Sequence, residues 1–223
     1  MFHVKQFILC ILYCWILGSV QGQAEFKMAD KPFRPVVETD QILSRQTNEY
    51  IAKHGLSKQE GQFLYWTNYM RKNPSAFYRN CIAMFIKDFP EIDGSEAKSL
   101  GTDLLSLPPL PVFSPNSSLM DVSSDHAYDL ATNMDRISHS GSDGRSFASR
   151  IRYAGFTKCA AENIYTGKDD ALIALMMLLL DIGVESLGHR KNLLNPAFTE
   201  IGVSIKYKKG EQKVVLVQDF GCK

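Results

Sequence analysis

Residues 171–180, Ala-Leu-Ile-Ala-Leu-Met-Met-Leu-Leu-Leu, carry no polar side chain and stop abruptly at Asp181. A helix that is apolar on every side has no face to offer to water, so it must be wrapped by other protein. At ten residues it is also well short of the ~20 needed to cross a bilayer. The segment therefore predicts a central helix with other elements layered around it. Asp169 and Asp170 at its start suit the positive end of the helix dipole.

The elements on either side follow from local signals. Gln41 to Lys53 reads as a short polar helix after a proline-bearing leader. Ser57 with Glu60 three residues on is a capping-box signature, and helical spacing runs from there until Asn73-Pro74. Pro74 can open a further helical stretch through Phe77 and Ile82. The stretch 89–101 reads as polar, and the proline run 107–111 must be extended. A helix is expected over about 117–134 and a short one over 146–153, closed by Gly155. Segment 158–166 is mixed, with Ile164 and Tyr165 suited to a strand. Residues 200–206 alternate through Ile201, Val203 and Ile205, and 213–220 form a second apolar strand joined to the first by a Lys-Lys-Gly-Glu hairpin. Helices first and a short antiparallel sheet late argue an α+β layered domain.

The chain has 223 residues. Its first two dozen have the charged, apolar and small-residue regions of a secretory signal peptide ending near Gly22. This predicts a secreted, extracellular protein with no transmembrane anchor after cleavage. Formal net charge is +1 with dispersed basic residues, so no basic face points to nucleic acid. Cys10 and Cys14 leave with the signal peptide, and Cys81, Cys159 and Cys222 remain. One disulfide and one buried thiol are expected in an oxidising compartment. Spacing does not settle the pairing; Cys159 with Cys222 is favoured because both sit beside expected strands.

Four polar residues stand out between 138 and 196. His139 lies between serines just after a helix, and His189 follows Gly188, where a missing Cβ would admit another backbone or a ligand. Two imidazoles plus a carboxylate would suit zinc with an open position. The competing account is a pair of histidines that pin loop carbonyls and carboxylates, and from spacing alone this is the commoner outcome. Glu162 lies in a strand-like segment, where a carboxylate is either hydrogen-bonded or facing a cleft. Asp181 sits at a helix C-terminus, which disfavours an acid and implies a partner such as His189. His126, mid-helix, reads as a packing histidine. No Gly-x-Ser-x-Gly elbow, His-Glu-x-x-His helix or Cys-x-x-Cys pair is present.

At these residues the chain resembles the CAP superfamily, the SCP-like extracellular domain, and more closely its bacterial-type branch. The matching pieces include Asn68-Tyr69-Met70-Arg71, Ser138-His139-Ser140-Gly141, Arg150-Ile151, Glu162-Asn163-Ile164, Gly188-His189-Arg190 and Gln218-Asp219-Phe220-Gly221. The resemblance implies an α-β-α sandwich with a short three-stranded antiparallel sheet over 57–223, behind a signal peptide at 1–22 and an N-terminal extension at 23–56. It implies a cleft tetrad of His139, Glu162, Asp181 and His189, with Glu185 as the alternative for the third. It further implies that His139 and His189 hold zinc or a similar divalent ion, and that a lipid, a sterol or an extracellular protein is the partner. A non-enzymatic binding module is the function read from this; the alternative is a metal-assisted, peptidase-like hydrolase with Glu162 or Asp181 as base.

Overall fold

The computed structural model describes residues 31–157 and 159–222. The signal segment read at 1–22 lies outside the described residues. The element order is α1 (Gln41–His54), α2 (Lys58–Lys72), α3 (Pro74–Phe77), a π-helical turn, α4 (Ala83–Asp88), α5 (Ser95–Ser106), β1 (Ser114–Pro115), α6 (Ser117–Thr132), α7 (Phe147–Tyr153), β2 (Ala160–Gly167), α8 (Ala171–Leu180), α9 (Gly188–Leu194), β3 (Glu200–Tyr207) and β4 (Val214–Gly221). The strand order is β1-β3-β4-β2. The three long strands pair antiparallel, as expected, but the sheet has a fourth member. β1, two residues after the proline run, adds in parallel to β3. The expected three-stranded antiparallel sheet is thus a four-stranded mixed one. A two-residue strand has too short an alternation to be seen in sequence.

Helices cover both faces of the sheet. One face packs against α6 through Ala127, Leu130, Ala131, Ile164, Val215 and Val217. The other closes over α2 and α8, where the main core lies. α8 is the buried centre its composition demands: only Met177 is partly exposed along its length. Its N-terminus is capped by Asp170, whose carboxylate accepts from Leu172 and Ile173 N–H. The capping box at Ser57 and Glu60 forms with both hydrogen bonds in place. α1 packs on α2 at Gly61, where a Cβ would lie 2.4 Å from Ile51 Cδ1.

The polar stretch 89–101 gives no sequence signal of a helix, yet α5 begins at Ser95. Its N-cap is Gly94, with no side-chain cap hydrogen bond, so no start signal marks it. Ala97, Leu100 and Leu104 nevertheless bury one face at helical spacing. α9 also formed without having been anticipated, and it carries His189.

Two fully buried arginines fix the segment around α9. Arg71 of α2 donates to the carbonyls of Pro111, Leu193, Asn195 and Phe198 at 2.7–3.1 Å and lies 3.9 Å over the Phe113 ring. Burial pushes its guanidinium down to about 10. Arg190 of α9 donates to the carbonyls of Leu179 and Leu180, two of those left open at the end of α8, and to Glu96 O. A disulfide joins Cys159 to Cys222 with Cα atoms 5.6 Å apart, tying the edge of β2 to the end of β4, and Cys81 is a buried free thiol.

Candidate functional site

The site is built on two consecutive residues of β2, an edge strand of the sheet. Successive strand side chains point to opposite faces, so Glu162 and Asn163 each serve one side. Glu162 faces α6. Its Oε1 accepts from His139 Nδ1 at 2.8 Å, and its Oε2 accepts from Arg150 Nη2 at 2.6 Å. The Glu162 carboxylate is 1% exposed and the His139 ring 58% exposed, so a buried acid holds an open imidazole. Asn163 turns the other way and donates to the His189 carbonyl at 3.2 Å, while Asn192 of α9 donates back to Asn163 Oδ1 at 2.8 Å.

His139 is presented by a well-tied loop. Phe147 N–H donates to the His139 carbonyl, a bridge joins Ser140 to Ser146, and Arg150 Nη1 donates to the carbonyls of His139 and Arg145. Asp129 of α6 accepts from Ser142 through both N–H and hydroxyl. Those bonds pull the carboxyl of Asp129 below its usual range against the opposing effect of burial, which is the largest single influence.

Asp181 is placed by a different device. It ends α8 in the left-handed conformation, φ 56°, and its side chain turns away from the helix it terminates. Oδ2 accepts from the backbone N–H of His189 and Arg190 at 2.9 and 3.3 Å, and Oδ1 from His189 Nδ1 at 2.6 Å. The acid that is unfavourable at the C-terminus of α8 is thus favourable at the N-terminus of α9, where N–H groups are unsatisfied. Glu185, the alternative, is exposed on the loop between the two helices. At Gly188 no backbone approaches: a Cβ there would meet Ser186 Oγ, at 3.3 Å.

The arrangement is therefore two imidazole–carboxylate pairs, His139–Glu162 and Asp181–His189, one from each face of β2. Among the described residues, no group of three or more His, Cys, Asp or Glu side chains could hold a metal ion. A metal would have to use the two imidazoles, with water completing its shell. The donor set fits that use: a carboxylate that accepts from Nδ1 fixes the proton there and makes Nε2 the basic nitrogen.

Behind Glu162 lie residues that sequence reasoning did not assign to the site. His126 of α6 is buried and its Nε2 donates to the Ser138 carbonyl at 2.9 Å, the opposite tautomer. Burial lowers its pKa, against the opposing pull of the Glu162 charge. Arg150 was noted only as part of a motif, and Asp219 likewise. Asp219 interrupts an apolar strand, which was the available signal: a carboxylate there must have a partner. A cavity of about 460 Å³ opens beside this cluster, with His126, Arg150, Asp129 and Lys206 among its lining residues.

The model of the CAP family, described as the cysteine-rich secretory protein family, matches residues 67–220. The chain belongs to this family. The matched stretch contains His139, Glu162, Asp181 and His189 and the sheet as far as Phe220. Among solved structures, the chain is similar to an extracellular protein of Bacillus anthracis containing an SCP domain, at 28% identity and a TM-score of 0.41 over 51% of this chain. That similarity spans 35% of the length of the anthrax protein. An outer surface protein of Borrelia burgdorferi is similar at 22% identity and a TM-score of 0.42, covering 51% of this chain and 80% of that one. The structure of NaASP2 with Zn2+ is similar at 13% identity and a TM-score of 0.44, covering 75% and 81%. No functionally curated protein matches the sequence.

Proposed function

We propose that this CAP chain is a secreted binding module in which His139 and His189 take one divalent cation, zinc being the natural choice for two imidazoles. The observation that carries the reading is the pairing of each ring, through Nδ1, with a carboxylate that is 1% exposed. A bound zinc would supply a Lewis-acidic centre with open positions for a ligand. Glu162 and Asp181 orient the rings, Arg150 holds Glu162, and Arg190 holds the end of α8 from which Asp181 projects. With two protein ligands, affinity is modest, and it falls in mild acid because a protonated imidazole cannot ligate. The signal-type segment and the disulfide support secretion.

The hydrolase alternative asks Glu162 or Asp181 to act as general base. Both are already occupied by imidazole and by guanidinium or backbone donors, so the binding module is the better reading. Calorimetric titration of zinc into the mature protein tests it. The account expects measurable binding by wild type and at least a tenfold loss in His139→Ala and in His189→Ala; equal binding by either variant overturns it. The lipid or sterol expected of the family is tested by mass spectrometry of an organic extract of the purified protein. A recovered sterol or lipid supports that expectation, and a clean extract counts against it.

A further inference from the structure

Glu162 on β2 stands directly opposite Asp219 on β4 in the antiparallel register. Directly opposed residues share a face of the sheet, so two carboxyl groups meet beneath α6. Asp219 is fully buried and Glu162 nearly so. We propose that Asp219 is a fifth member of the site, a positioning residue that holds Glu162 through a proton carried on Asp219.

Elements α6, α7 and β3 surround the pair. From α6, Ser123 donates its hydroxyl to Asp219 Oδ2 at 2.8 Å, and His126 Nε2 lies 3.8 Å from Glu162 Oε2 while donating to Ser138 O. From α7, Arg150 gives one strong bond, 2.6 Å, to Glu162 Oε2. From β3, the residue opposite Asp219 is Gly202, which brings no side chain; a Cβ there would lie 2.1 Å from the Leu119 carbonyl of α6. One guanidinium therefore serves two buried carboxyl groups, and it is bonded to only one of them.

Asp219 Oδ1 is the atom left over. It is buried and meets no donor among the described residues, an arrangement that costs free energy while the group is ionised. Asp219 also faces the Glu162 side chain across the β2–β4 pair. Two facing carboxylates repel, but one proton between them converts the contact into a hydrogen bond. Burial first, and then the Glu162 charge, push the Asp219 carboxyl well above the usual carboxylate range. The protonated Asp219 donates to Glu162, Glu162 accepts at once from Asp219, Arg150 and His139, and the His139 ring is oriented in turn. The role of this chain in zinc binding rests on the reading above; the proton on Asp219 does not.

Infrared spectroscopy of the full mature protein at neutral pH, with and without deuteration, tests the proton. The expected result is a protonated-carboxyl stretching band in wild type that is absent in Asp219→Asn. No such band, or the same band in Asp219→Asn, overturns the proposal. Zinc titration tests positioning. Asp219→Leu, which removes both the donor and the Ser123 acceptor, should lose roughly tenfold or more in zinc affinity. Asp219→Asn keeps a donor toward Glu162 and an acceptor for Ser123, and should rescue most of that loss. Unchanged affinity in Asp219→Leu, or no rescue by Asp219→Asn in a folded protein, contradicts the role. If Asp219→Leu does not fold, the band and the asparagine variant still decide. A wild type that shows the band but binds no zinc sinks the zinc reading and leaves the shared proton standing.

Discussion

Replacing Arg150 by methionine removes the guanidinium but keeps much of the side-chain volume. Arg150 and Glu162 are 2.6 Å apart, with side chains 7% and 1% exposed. An exposed ion pair would contribute ~0.2–1 kcal/mol, but this one is shielded on both sides. Removing one partner of a buried pair strands the other charge and costs about 3–5 kcal/mol. The carbonyls of His139 and Arg145 lose their donor as well, which places the expectation at the upper end of that range. A domain's whole stability is on the order of 5–15 kcal/mol, so the variant should remain folded with little margin. Urea unfolding followed by circular dichroism is the assay, read as a drop in midpoint at constant slope. Adding Glu162→Gln should recover about half of the loss or more, because the stranded charge is then gone and the two changes are coupled. A single variant within ~1 kcal/mol of wild type, or a double variant that is simply the sum of the two, would show that no buried charge is stranded.

Gly202→Ala should be among the most damaging small changes, at ~3 kcal/mol or more, since its Cβ would meet the α6 backbone at Leu119; thermal unfolding reads it directly. Reducing the Cys159–Cys222 disulfide, which spans 63 residues, should cost about 4 kcal/mol on the chain-entropy account, measured as the difference in urea midpoint with and without reductant. For Asp219 the sign is set by a folded pKa above the unfolded one. As pH rises through the carboxylate range the unfolded chain ionises first, so stability present in acid is lost toward the folded pKa. Asp219→Asn lacks that loss, and its stability relative to wild type should improve from acid to neutral pH; a constant difference would contradict this.

Much of this molecule could be read from the chain because the signals are local. α8 is required by ten residues without a polar atom, and the Ser57/Glu60 box marks its helix by spacing alone. Segments whose N-cap residue offers no side-chain hydrogen bond carry no such signal: α5 follows Gly94, and α9 follows Leu187, which sits at φ 50°. The cap of α9 comes from Asp181, six residues before Leu187 and across a turn. His139, Glu162, Asp181 and His189 stand out in the sequence by their places at turns and element ends and by the family resemblance. The residues behind Glu162 do not, since Arg150, His126 and Asp219 meet it only once α6, α7 and β4 have packed around β2. Nothing in sequence spacing links residues that come together through tertiary packing.

Buried carboxylates set both site imidazoles to present Nε2. Long-range proton–nitrogen NMR on labelled protein measures this directly. His139 and His189 should carry their proton on Nδ1 and His126 on Nε2, and added zinc should shift Nε2 of the first two while leaving His126 unmoved. A proton on Nε2 of either His139 or His189, or zinc that leaves both rings unperturbed, would contradict the account.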